Sequence, residues 1–215
     1  MFKRLFSRRK DEDKDLEVGE SNEEKKQLGK EDPLGPEKVR QQQLKQLLDI
    51  GIPDAMGISE KEFSNLVPLP ERKEGTLLVV SSKALSLAKQ LKLANIDNHL
   101  DLSLIKDIII SKQLVYWQYG VKDGTAMLDK SPKVCREIFK QQHRRGLTIA
   151  EIIALSIQYP DIVKKEYSVD VLGSTYKPGF TSYFTFDYLT KLLDCDLDRI
   201  SSPKHGSASC EMESE

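Results

Sequence analysis

The alternation of apolar and polar residues predicts five helices from residue 36 onward. Capping boxes open two of them, because Ser59 and Thr148 are each followed three residues later by a glutamate. A third begins at Pro36, since proline suits the first helical turn, and an apolar stripe follows it. The predicted helices are residues 37–50, the segment from Ser59 to before Pro68, a segment that Ser82 caps, the segment from Ser131 that Gly146 ends, and the segment from Thr148 that Pro160 terminates.

Strands are predicted where β-branched and aromatic residues dominate. The clearest is Leu114–Val121, and Asp123-Gly124 after it is a hairpin signal that predicts a returning strand over residues 125–128. On one face of Leu114–Val121 the aromatic side chains are expected in the core, while the other face is open to a groove. Other predicted strands are Leu77–Val80, Tyr167–Leu172 and Ser182–Phe186, with a turn at Lys177-Pro178-Gly179.

Two apolar segments, 104–110 and 189–197, fit either a helix or a strand. The order of the other elements favours an α+β fold, with helices packed on a small, mainly antiparallel sheet. A length of 215 residues fits one domain with a tail. We therefore predict a single globular domain over residues 36–210 and a short acidic tail over residues 211–215.

Residues 1–35 are mostly charged and contain too little apolar area to offset the entropy of ordering, so we predict a disordered tail. At its start, Phe2, Leu5 and Phe6 would share one face of a helix among basic residues. Two interpretations stay open for this segment. It makes a weak contact with an anionic membrane surface, or it is a solubilising start to the tail.

The charge balance changes the range of expected partners. With 33 basic and 34 acidic residues the net charge is −1, so no nucleic-acid partner is expected. No apolar run is long enough to span a membrane, and the N-terminus lacks the apolar core of a secretory signal. Three cysteines, an odd number, do not make a disulfide framework. We therefore expect a cytoplasmic protein.

Four short motifs carry a resemblance to a known family. They are Val39–Leu44 with Ile50–Pro53, Leu147–Glu151 with Tyr159-Pro160, Gly173-Ser174, and Gly206-Ser207-Ala208-Ser209-Cys210. Over about residues 36–210 the chain resembles the uncharacterised bacterial family catalogued as domain of unknown function 5701. The resemblance implies kinship and no activity. The strand before the closing motif is tryptophan-rich in that family, whereas Leu192, Leu193, Cys195 and Leu197 stand here, so no site built on aromatic rings is expected there.

Cys210 and His205 are the catalytic candidates in the sequence. A cysteine nucleophile needs a lowered pKa and a base within hydrogen-bond reach, and His205 is near in sequence. The alternative is a small buried thiol that packs under a strand. Cys195, His205 and Cys210 together lack the close pair of a structural zinc site, so no metal and no cofactor are expected.

Small polar residues supply the ligand-binding candidates, which are Gly173, Ser174, Ser207 and Ser209. Gly173-Ser174, after a strand, would expose a backbone amide and a hydroxyl to a ligand, or would simply form a turn. The basic run His143-Arg144-Arg145 would contact phosphate, or would complement the negative end of the preceding helix. Asp194, Asp196 and Asp198 fit the exposed face of a strand or turn.

No motif in the sequence specifies a reaction. The function expected is that of a non-catalytic cytoplasmic binding or interaction protein, whose partner is an unknown protein or small-molecule ligand. Two alternatives stay open: a small cysteine-dependent enzyme of unknown reaction, and a peripheral membrane protein anchored through Phe2, Leu5 and Phe6.

Overall fold

The computed structural model describes residues 35–71, 75–109, 111–162, 167–187 and 190–212. The predicted disordered tail lies outside the described residues, except for Gly35, and so do residues 213–215 of the predicted acidic tail. No helix among the described residues is both long enough and apolar enough to cross a membrane.

The described part of the chain contains six α-helices, and both predicted capping boxes are confirmed. The helix predicted from Ser82 was placed too early, because it begins at Leu87 after a turn. The helix predicted to end at Gly146 ends at Gln141 instead. The helices are α1 (Pro36–Asp49), α2 (Ile52–Met56), α3 (Glu60–Leu66), α4 (Leu87–Leu93), α5 (Pro132–Gln141) and α6 (Ile149–Gln158).

The described residues also form eleven short strands. The segment 189–197, whose type the sequence leaves open, contains a strand, and the described part of segment 104–110 contains the last residue of a 3-10 turn and a two-residue strand. The strands are β1 (Leu77–Val80), β2 (Ile96–Asn98), β3 (Lys106–Asp107), β4 (Val115–Gln118), β5 (Arg144–Gly146), β6 (Ser168–Val171), β7 (Ser174–Thr175), β8 (Phe180–Asp187), β9 (Thr190–Leu197), β10 (His205–Ser207) and β11 (Ser209–Glu211).

The hairpin predicted at Asp123-Gly124 is wrong. Strand β4 pairs antiparallel with β1, and residues after Gly124 form a 3-10 helix over Thr125–Met127. The Asp123 carboxylate accepts hydrogen bonds from the Thr125 backbone N–H at 2.9 Å and hydroxyl at 2.7 Å, which starts that turn. The hairpin signal was therefore a local helical turn, and the strand partner came from a distant part of the chain.

The largest sheet has the strand order β10-β6-β8-β9-β2. Strand β8 is antiparallel to both of its neighbours, β6 and β9, while β10 is added parallel to β6 and β2 parallel to β9 at the two edges. Five of the seven strand pairings among the described residues are antiparallel. The predicted α+β fold, with helices packed on mainly antiparallel sheet, is confirmed.

Helix α6 lies at the centre of the core, and this position explains its composition. Nearly every one of its side chains is buried, as expected for a helix that is apolar on all sides. It packs on β1, and its cluster includes Val169, Phe184 and Leu193 from one face of the large sheet. Helices α1–α3 cover the other side of the β1–β4 pair, and α5 contributes a third, smaller cluster with Leu172.

Strand β4 is buried on both of its faces. Tyr116 belongs to the cluster around α6, and Trp117 to the cluster under α1–α3. The core position expected for these aromatic residues is confirmed, whereas the groove predicted on one face of this strand is replaced by a second core.

Candidate functional site

Arg144 and Arg145 of the basic run His143-Arg144-Arg145 have partners within the protein, whereas contact with phosphate and complementation of a helix end were the two interpretations from sequence. Arg145 lies in β5 and forms two hydrogen bonds with the Glu151 carboxylate, at 2.7 and 2.6 Å. Glu151 is 1% exposed and also accepts a hydrogen bond from the Tyr116 hydroxyl at 3.1 Å. Burial acts to lower the pKa of Arg145, but the Glu151 carboxylate outweighs it and the pKa is raised. This buried ion pair joins β5 to the first turn of α6.

Gly173 and Ser174 also hold the first turn of α6 in place. The Gly173 N–H donates to the Leu147 carbonyl at 2.8 Å, and the Ser174 hydroxyl accepts from the Ile149 N–H at 3.0 Å. That hydroxyl donates in turn to the Asp107 carboxylate at 2.5 Å. Burial raises the pKa of Asp107, and the hydrogen bond from Ser174 opposes this shift. The amide and hydroxyl considered for a ligand therefore have partners within the protein.

Cys210 and Ser209 are on β11, in the interior. Cys210 is fully buried, and its Sγ lies 3.8 Å from the Arg145 carbonyl oxygen. The Ser209 hydroxyl accepts a hydrogen bond from the Arg144 guanidinium at 3.1 Å and is also buried. His205, the base considered for Cys210, bonds to a different residue. These positions correspond to the buried-thiol alternative.

The remaining candidates, His205 and Ser207, lie on the polar face of the large sheet. Because side chains alternate along a strand, this face carries the residues between the core positions of β6, β8 and β9. Asp170, Tyr183 and Asp194 form a row across these three strands, and Ser207 is aligned with Asp170 from the edge strand. His205 precedes Ser207 by two residues and so shares the face. We call this surface the polar face.

Asp170 joins the two candidate residues. One of its carboxylate oxygens lies 3.2 Å from the His205 Nδ1, and the other accepts a hydrogen bond from the Ser207 hydroxyl at 3.0 Å. Asp170 is only 2% exposed, whereas the His205 side chain is 25% exposed. Because a carboxylate can only accept hydrogen bonds, Nδ1 must be the donor. In a neutral imidazole, Nε2 is then a hydrogen-bond acceptor, and the structure gives it no partner among the residues that it describes.

At the end of the polar face that contains His205, this imidazole lies next to an aromatic ring. The rings of Tyr183 and His205 are 4.9 Å apart at an angle of 58°. Burial raises the pKa of Tyr183, and the charges of Asp194 and Asp196 add to the shift. The other end is closed by α5, where Arg136 donates to the Thr181 hydroxyl at 2.9 Å. His205, whose side chain is partly exposed, lies towards the opposite end of this face.

The pair of Asp170 and His205 can orient a ligand, because a carboxylate that holds one ring nitrogen fixes the tautomer of a histidine, as it does in many functional sites. Ser207 does not extend this pair to a nucleophile, because this hydroxyl is 1% exposed and donates to Asp170, away from Nε2. No group of three or more histidine, cysteine, aspartate or glutamate residues in the described part of the chain is placed to hold a metal ion.

Sequence reasoning selected His205 and Ser207 but missed Asp170, which brings them together. A signal was present, since Asp170 stands between two valines in a predicted strand. A carboxylate in a buried strand requires hydrogen-bond donors, and a histidine and a serine are two of the residue types that supply them. Tyr183 was included in a predicted strand but was not identified as a site residue.

Comparison with known proteins places the chain in a family without assigning it an activity. Residues 46–181 match a family model described as a family of unknown function, DUF5701. Neither a search of curated proteins nor a search of solved structures found a match. The matched region covers more than half of the chain and includes α6, Gly173 and Asp170. The chain therefore belongs to DUF5701, the family to which its motifs showed a resemblance.

Proposed function

We propose that this protein is a non-catalytic, cytoplasmic binding protein that recognises a ligand through His205, at one end of the polar face. The observation that carries this proposal is a 25% exposed imidazole whose Nδ1 is fixed by buried Asp170, while its Nε2 has no partner among the described residues. A fixed acceptor next to the Tyr183 ring favours a ligand that presents N–H donors.

The burial and hydrogen bonds of the nearby hydroxyl and thiol groups support binding over catalysis. The Ser207 hydroxyl and the Cys210 thiol are buried, and both have hydrogen-bond partners within the protein. A nucleophile must reach its substrate, so these positions suit packing and orientation. The structure describes all three cysteines, and none forms a disulfide, a state favoured in a reducing compartment.

The proposal is tested with small probes and two histidine variants. Methylguanidinium and acetate are titrated into ¹⁵N-labelled protein, and amide and imidazole shifts are followed by NMR. Methylguanidinium is expected to shift resonances of His205 and Tyr183, and acetate is not. H205A should abolish the response, while H99A should retain it. His99 is a matched control, because its ring also lies near an aspartate carboxylate, at 3.5 Å, but its side chain is exposed.

Two results would refute the proposal. One is an equal response to acetate and methylguanidinium, and the other is a methylguanidinium response that H205A leaves unchanged. A long-range ¹H–¹⁵N spectrum provides an independent check, because Asp170 should hold the proton of the neutral ring on Nδ1. D170N is expected to release that preference without moving the proton of His99.

A further inference from the structure

The free edge of the large sheet at β2 lies next to a cleft. Among the residues that the structure describes, strand β2 pairs only with β9 and stands at the end of the strand order. On its other side is a cleft of about 320 Å³, lined by residues of β2, α4 and the following 3-10 turn. The apolar part of its lining includes Leu91, Ile96 and Leu102.

The hydrogen-bonding pattern shows which main-chain groups border this cleft. The N–H of His99 donates to the Leu193 carbonyl at 3.0 Å, so the main chain at this position faces β9. Since backbone direction alternates along a strand, Asp97 also faces β9, whereas Ile96 and Asn98 direct their N–H and C=O groups away from it. Ile96 and Asn98 both line the cleft.

The edge of β1 offers a contrast within the same protein. There the buried Gln43 side chain takes the place of a neighbouring strand. Its amide donates to the Thr76 carbonyl at 2.7 Å and accepts from the Leu78 N–H at 2.7 Å. At the β1 edge a side chain thus provides hydrogen-bond partners for two backbone groups, while the backbone groups of the β2 edge face the cleft.

We infer that the β2 edge binds an extended peptide segment of a partner protein, in which apolar residues alternate with basic ones. Main-chain hydrogen bonds to Ile96 and Asn98 would add the peptide to the sheet as a further strand. Its apolar side chains would pack towards Leu91 and Leu102 in the cleft. This inference depends on residues other than His205, and so it can fail or hold independently of the proposed function.

The negative charge on the polar face next to β2 favours a peptide with basic residues. Asp97 is exposed, and its register partner in β9 is two residues from Asp194. Side chains of an added strand on this face would lie next to Asp97, where a basic residue is favoured and an acidic one repelled. Lys92 lines the wall of the cleft formed by α4, on the opposite side of the added strand from the polar face. The preference for a basic residue is therefore limited to one row of the peptide.

The same charge argues against a second copy of the chain as the occupant. Two β2 edges paired antiparallel about Asp97 would place two carboxylates side by side, and like charges directly opposite each other destabilise a strand pair. A partner with lysine or arginine at that position meets no such repulsion.

The test uses two blocked hexapeptides, one alternating leucine with lysine and the other leucine with glutamate, titrated into the ¹⁵N-labelled full chain. We expect the lysine peptide to bind roughly fivefold more tightly, within the range of a cross-strand charge pair. The shifts should centre on the amides of Ile96 and Asn98. A proline at the centre of the lysine peptide should abolish binding, because it removes a main-chain donor.

A charge-reversal pair distinguishes the site from general electrostatic attraction. D97K should invert the preference and favour the glutamate peptide. D54K makes the same change in net charge at an exposed residue of α2 and should leave the preference unchanged. The inference is overturned by equal effects of the two variants, by shifts that centre elsewhere, by absence of binding, or by a dimer through β2 in sedimentation experiments.

Discussion

Replacement of Glu151 by alanine is expected to destabilise the protein far more than the loss of a helix cap. The side chain has two roles, since it closes the capping box of α6 through the Thr148 N–H at 2.8 Å and neutralises Arg145, whose side chain is only 12% exposed. Loss of a cap costs about 1 kcal/mol. Removal of one partner of a buried ion pair costs about 3–5 kcal/mol, because the other charge remains buried without compensation. We therefore expect E151A to lower the free energy of unfolding by about 3–5 kcal/mol.

The chain contains a matched control for the capping role. Glu62 closes the same type of box at Ser59 on α3, but its carboxylate is exposed and the box is solvated. E62A should therefore lower the free energy of unfolding much less than E151A does. The difference between the two variants isolates the effect of burying Arg145 next to its counter-charge.

The assay is urea unfolding followed by circular dichroism at neutral pH, with the slope of each transition checked for two-state behaviour. A cost for E151A within about 1 kcal/mol of the cost for E62A would show that water solvates Arg145 in the variant, and would refute the reasoning. The double variant R145M/E151L provides a second check. It leaves no unpaired charge, so it should be more stable than either single substitution.

Three further predictions follow from the buried segments. A Cβ at Gly173 would approach the Gly146 carbonyl oxygen to 2.5 Å, so G173A should cost about 1–3 kcal/mol of unfolding free energy, whereas G35A, in open space, should be nearly neutral; equal urea midpoints would contradict this. Burial raises the pKa of Asp107, so its stabilising contribution is complete below the unfolded value of about 3.9 and is lost as pH rises through the folded pKa. D107N should therefore be more stable than the wild type at pH 7, by a margin that shrinks on acidification; a margin that grows would exclude the mechanism. Cys210 should react with iodoacetamide more slowly than an unfolded-chain thiol, as read by mass spectrometry of the native protein, and rapid modification would restore the cysteine-enzyme alternative.

Local signals predicted the elements whose causes are local. The capping boxes at Ser59 and Thr148 and the strand Leu77–Val80 depend on neighbouring residues, and all three are confirmed. The signal at Asp123-Gly124 is also local, but this dipeptide is compatible with two different backbone structures. An aspartate before glycine can close a hairpin or begin a helical turn, and the choice depended on pairing of β4 with the distant β1.

The candidate site was only partly predictable, because its parts come from separate regions of the sequence. His205 and Ser207 were selected from a short motif, but Asp170, which gives them a common role, is joined to them by parallel pairing of β10 with β6. For Arg145, the sequence suggests two other roles, which are contact with phosphate and complementation of the end of the preceding helix. Its actual partner, Glu151, is beyond a strand and a turn, where helical spacing gives no guidance.

The parallel placement of β2 has a kinetic consequence. Strands β6, β8, β9 and β10 follow one another through short connections and can pair early, whereas β2 is separated from β9 by α5, α6 and several strands and must wait for a chain closure over a much longer loop. A folding chain would therefore pass through a species in which the β9 border of the sheet is bare. Such borders recruit other chains, so refolding yield should fall as protein concentration rises, even where the native state is stable.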